Sequence, residues 1–103
     1  MLDGKTKNAS TNSEQVEKTI KAFKSMLLAR AFEDKMIALY RAGKISGGVF
    51  VGRGQEALSA SCGISLKRGD IFAPLIRDAA GKIAFGEPVI DGIRTYLGSR
   101  LGP

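Results

Sequence analysis

The sequence predicts a mainly α chain: a long N-terminal amphipathic helix, about three shorter helices and one short strand. Three observations carry this expectation. Apolar residues recur at three- and four-residue steps from Val16 to Tyr40, which is the period of a helix face. Each later helix-length run is closed by a glycine or a turn, at Gly69, Gly86 and Gly98. Only Ile71–Ile76 is a short apolar run without a helical period. At 103 residues, 44% hydrophobic and 25% charged, the chain has the length and balance of one small domain with a modest core.

Met1 to Ser13 is rich in Lys, Asn, Ser and Thr, and such a composition predicts a disordered polar tail over 1–13. Thr11 with Glu14 fits a capping box, with Ser13 as the alternative cap. Val16, Ile20, Phe23, Leu27 and Ala31, then Phe32, Met36, Leu39 and Tyr40, form one slowly turning stripe, and Gly43 ends the helix. Glu14–Lys18 and Glu17–Lys21 are favourable pairs on its polar side.

Lys44 to Gly54 holds four glycines and reads as a loop in close contact with something else. Gln55 to Leu66 is dense in Ala, Ser, Cys and Gly, with Leu58, Cys62 and Ser65 sharing a face. Gly63 there serves close helix approach or weakens the last turn. Ile71–Ile76 contains Pro74, which cannot donate to a ladder, so an edge strand or extended segment is expected. Asp78 is placed to cap a helix through Ala79, Ala80, Ile83 and Phe85. Pro88 suits the first turn of a last helix that buries Ile90, Ile93 and Leu97.

Composition excludes several function classes. No apolar run approaches the roughly 20 residues a membrane span needs, and the polar N-terminus lacks a signal-peptide core, so a cytoplasmic location is expected. The formal charge of +6 is spread along the chain and interleaved with Glu14, Glu17, Glu33, Asp34, Glu87 and Asp91, which reads as a solvated surface and argues against nucleic acid. One cysteine, Cys62, excludes an internal disulfide and reads as an inert packing thiol, and the chain has no histidine.

The chemistry-bearing feature is Gly47-Gly48-Val49-Phe50-Val51-Gly52-Arg53-Gly54-Gln55-Glu56-Ala57, followed by Gly69-Asp70 and an apolar run that delivers Arg77 ahead of a helix start. An arginine so placed suits a polyanion, and a salt bridge to Asp78 or Asp91 stands beside that reading. Phe50 is either a pocket wall or ordinary core. Glu56 beside Gln55 at a helix start reads as structural, favoured by the helix dipole.

Several motifs occur in a characteristic order: Leu39-Tyr40-Arg41-Ala42-Gly43-Lys44-Ile45, the Gly-Gln-Glu-Ala signature Gly54–Ala57, the segment from Gly69 to Arg77, and Tyr96-Leu97-Gly98-Ser99-Arg100. Over roughly residues 20–103 the chain resembles the N-terminal part of the alpha subunit of the thiamin-diphosphate-dependent 2-oxo acid dehydrogenases, the decarboxylating component of the pyruvate and branched-chain complexes. The resemblance implies that 14–103 is an incomplete domain, a fragment of that family's α/β cofactor-binding fold. It implies thiamin diphosphate with Mg2+ as cofactors and a beta subunit as partner. Arg77 stands at the family's diphosphate contact, and Phe50 occupies a position that faces the substrate.

The departures are also specific. Ile76 stands where the family has tyrosine, and Phe50 stands where the pyruvate branch has histidine. Ala79-Ala80-Gly81-Lys82 lacks a further family histidine, so an apolar or unusual 2-oxo acid is expected. The family's magnesium-holding Gly-Asp-Gly element is not in this sequence. No catalytic residue and no metal ligand is therefore assigned, and the chain alone is expected neither to bind the cofactor tightly nor to turn over. The alternative is a small non-catalytic helical protein that self-associates, and a homo-oligomer is expected of the isolated chain.

Overall fold

The computed structural model describes the backbone of residues 4–102 and the side chains of residues 12–102. Four helices occur in this span: α1 (Gly4–Arg41), α2 (Glu56–Ser65), α3 (Ala79–Phe85) and α4 (Val89–Leu97). The C-terminal half of α1 packs against α2 and α3, which pair closely with each other, while α4 touches α1 more lightly. Residues 12–21 of α1 are all exposed. The result is an elongated body of 62 × 26 × 17 Å, its long axis set by a 38-residue helix.

The backbone of α1 is helical from Gly4, so Thr11 and Ser13 lie within the helix and not at its start. Of the tail expected over 1–13, residues 1–3 lie outside the described residues. The early start follows from cooperativity: once the packed half is nucleated, each added residue gains a bond. No proline intervenes before Gly43. The C-terminus is as expected, with Gly43 at φ 77° and the Lys44 amide donating to the Leu39 carbonyl at 2.9 Å.

Small residues build the core. Ala29 of α1, Ala60 of α2, and Ala80 and Ala84 of α3 are buried together. A Cβ on Gly63 would overlap the carbonyl oxygen of Gly81, so Gly63 serves close approach. The Gly81 amide donates to Ser59 Oγ at 2.9 Å across the same seam. Met36 is the one large side chain that is fully buried among the described residues.

Several expected faces are corrected by this packing. The stripe Val16, Ile20, Phe23 and Leu27 is about half exposed, and α1 instead buries Ser25, Ala29, Glu33 and Met36. The reason is steric: α2 and α3 come close only to a smooth, small-residue face. On α2 the buried residues are Glu56, Ser59, Ala60 and Gly63, so Leu58 is exposed. Cys62 is exposed as well, which corrects the expectation of a packing thiol. No residue of α4 is fully buried, and Ile90 and Leu97 are exposed.

Ile71–Ile76 forms no strand: residues 71–75 have no regular secondary structure and Ile76 opens a turn. Pro74 has no amide hydrogen, and no other segment pairs with this one in a ladder among the described residues. Asp78 occupies the N-cap position of α3 without capping it. Its Oδ2 accepts the Leu75 amide at 2.8 Å and closes the turn that precedes the helix.

Candidate functional site

The glycine-rich loop is fastened to the helices by two carboxylates. Glu56, at the start of α2, accepts the Gly54 amide at 2.8 Å through Oε1 and Arg30 Nε at 2.5 Å through Oε2. Sequence reading took Glu56 as structural, and these partners give it that role. The Arg30 hydrogen bond, helped by the backbone amides, holds the Glu56 carboxyl down at about 2, against an ordinary 4.5.

That shift fixes a pH dependence. A depressed folded-state value means stability that is present above about 4.5 and lost as pH falls toward 2. Arg30 is half exposed, so solvent screens much of the pair. Glu56→Gln is expected to cost about 1–2 kcal/mol at neutral pH. The gap to the parent protein should close as the pH is lowered from 4.5 toward 2, as read by thermal melts across that range.

The second carboxylate is Glu33, which sequence reading placed on the solvated surface. It is 5% exposed, and its Oε2 accepts the Gly52 amide at 2.6 Å. Its Oε1 is buried with no hydrogen-bond partner. Burial pushes its pKa up, against the pull of the Gly52 hydrogen bond. Glu33 shares a helix face with Ala29 and Met36, and that spacing was the available signal.

Gly52 connects this clamp to the next segment. A Cβ there would overlap the carbonyl oxygen of Arg77, so the loop and the turn that ends the Ile71–Arg77 segment touch backbone to backbone. Two residues before Gly52, the Phe50 ring lies under the Arg77 guanidinium, 5.5 Å from centroid to Cζ. The fold thus brings together the two residues singled out from sequence. Among the described residues Arg77 makes no salt bridge to Asp78 or Asp91.

Phe50 also forms one wall of a cavity of about 380 Å³ between α1, α3, α4 and the loop. Phe32, Ile76, Ile83, Val89 and Tyr96 supply further apolar wall, and Glu33, Lys82 and Glu87 supply charge. Phe32 and Tyr96 meet in a tilted pair at 6.0 Å. Arg77 is outside the wall, so the cation and the cavity lie on neighbouring sides of Phe50.

Over 70 residues, 68% of its length, the chain is 43% identical to the pyruvate dehydrogenase E1 component subunit alpha of Rickettsia prowazekii, covering 22% of that protein. The chain is a homologue of pyruvate dehydrogenase E1 alpha subunits. It is 39% identical over 86 residues to the alpha subunit of Rhizobium meliloti, covering 24% of it. It is 29% identical over 86 residues to the chloroplastic alpha-3 subunit of Oryza sativa subsp. japonica, covering 20%. The chain therefore spans about a fifth to a quarter of the length of the E1 alpha relatives it matches. No family model and no solved structure matches.

A diphosphate and its divalent metal, which the family implies, fit these residues only in part. The Arg77 guanidinium suits one phosphate group. Among the described residues no three of His, Cys, Asp and Glu stand together to hold a metal ion. The metal half of such a site does not fit the described residues. No helix of the described residues is long and apolar enough to cross a membrane.

Proposed function

We propose that this chain is the N-terminal segment of a 2-oxo acid dehydrogenase alpha subunit. It contributes a diphosphate contact, Arg77, and a substrate-side wall, Phe50, to a thiamin-diphosphate site completed by the rest of the subunit and a beta subunit. The whole enzyme decarboxylates a 2-oxo acid oxidatively and transfers the acyl group to a lipoyl carrier. The isolated segment is inactive and holds the cofactor weakly. The observation behind this reading is the contact of Arg77 with Phe50 in a loop homologous to E1 alpha subunits. Phe50, standing where the pyruvate branch has histidine, favours an apolar 2-oxo acid.

The test places this segment in the corresponding part of a complete alpha subunit co-expressed with its beta subunit. Arg77→Ala is then expected to weaken thiamin diphosphate binding by about 1.5–3 kcal/mol, or roughly ten- to a hundredfold. The melting temperature of the cofactor-free protein should stay near its original value. An unchanged dissociation constant with a lowered melting temperature assigns Arg77 to structure and removes the proposal.

A second reading has its own observation. Val16, Ile20, Phe23 and Leu27 line one exposed face of α1, and such a face is seldom left bare in a monomer. A non-catalytic protein that self-associates through this helix as a homo-oligomer accounts for it, and a downstream coding segment that carries the magnesium-holding Gly-Asp-Gly element decides for the first reading over this one.

A further inference from the structure

Glu33 is a buried acid without a cation of its own. The guanidinium groups nearest it are engaged elsewhere: Arg30 with Glu56, and Arg53 with Asp34 at 3.1 Å. Gly52 satisfies one carboxyl oxygen, and the other is buried with no partner. A buried acceptor left unmade costs about 1–3 kcal/mol, and Glu33 forms part of the wall of the cavity.

The remaining wall selects the chemistry. Two carboxylates, Glu33 and Glu87, face one ammonium, Lys82, so the charge of the lining is net negative. Phe32, Phe50 and Tyr96 present aromatic surface, which attracts cations through the ring quadrupole. Ile76, Ile83 and Val89 accept an apolar body. At about 380 Å³ the cavity falls within the range of small-molecule sites.

We infer that this cavity is a site for a small organic ammonium compound, an amine on an apolar body, whose N–H groups are taken by Glu33. The inference does not rest on the dehydrogenase reading. The anion contact of that reading is Arg77, outside this wall, and a 2-oxo acid carries the opposite charge.

The test titrates the isolated chain with benzylamine, benzyl alcohol and benzoate, following the side-chain NMR signals of Phe32, Phe50 and Tyr96. Benzylamine is expected to saturate, to shift all three rings, and to bind about tenfold more tightly than benzoate. Glu33→Gln keeps an acceptor for the Gly52 amide and should reduce that preference to about threefold or less. Equal affinities for amine and benzoate overturn the proposal, as does an undiminished preference in folded Glu33→Gln. Should that variant not fold, the parent chain's amine-over-benzoate ratio decides alone. Amine affinity of the isolated chain and thiamin diphosphate affinity of the reunited subunit are separate readouts, so failure here is distinct from failure of the dehydrogenase reading.

Discussion

Gly63→Ala is expected to destabilise the chain by about 2–3 kcal/mol, as measured by urea or thermal unfolding. Helix propensity alone gives the opposite sign, since alanine in a helix interior gains about 1 kcal/mol over glycine. Packing decides the matter here. The added methyl would overlap the Gly81 carbonyl oxygen and stand 3.0 Å from Ala84 Cβ. The first obstacle is backbone, which cannot rotate away, and α3 has to retreat from α2 as a body. Retreat also lengthens the bond from the Gly81 amide to Ser59 Oγ, 2.9 Å in the parent. Gly47→Ala is the control, because a Cβ there meets nothing within 4 Å. If Gly63→Ala melts at or above the parent protein, the seam between α2 and α3 is not as close as described.

The parts of the fold legible in sequence are those set by local chemistry. Glycine C-termini at Gly43, Gly86 and Gly98 follow from backbone freedom, and all three adopt positive φ. The four helices are in the expected order. What sequence could not choose is which face of α1 turns inward. Between Ala22 and Met36 the helix carries two apolar stripes, one of large residues through Phe23 and Leu27 and one of small residues through Ala22 and Ala29. Period alone ranks the large residues first. The choice falls to partners that are themselves built of Ala, Ser and Gly, and these demand the smooth stripe.

The same ambiguity hid half of the candidate site. Once the large-residue stripe is taken as buried, Glu33 falls on the polar side and reads as one charge among many. Placed on the small-residue stripe, it is a carboxylate inside the core, and its partner has to be a backbone amide. Arg77 and Phe50 were legible because they sit in or beside glycine-rich motifs with a chemistry of their own. Their contact was not, since it depends on how the loop folds back on the Ile71–Arg77 segment. The expected strand failed for a related reason: a strand is a property of a pair, and Ile71–Ile76 has no partner among the described residues.

Gly52→Ala is expected to have the largest effect on the site, costing about 3 kcal/mol or more. The φ of Gly52 is not positive, so the penalty is one of space. A methyl group would overlap the Arg77 carbonyl oxygen, with the Arg77 carbonyl carbon at 3.3 Å and Gln55 Cγ at 3.6 Å. Only the glutamine can move aside. The loop therefore shifts away from the Ile71–Arg77 segment, stretching the 2.6 Å bond from the Gly52 amide to Glu33 and separating Phe50 from Arg77. Gly54→Ala supplies the comparison. At φ 91° with nothing within 4 Å, it carries conformational strain alone, of about 1–2 kcal/mol, and should leave the Phe50–Arg77 contact in place. The ring-current shift that Phe50 imposes on the Arg77 side-chain protons reads the difference: lost in Gly52→Ala, retained in Gly54→Ala. A Gly52→Ala protein that keeps both its stability and that shift would mean that loop and segment do not meet at Gly52, and that Glu33 does not hold the loop in register.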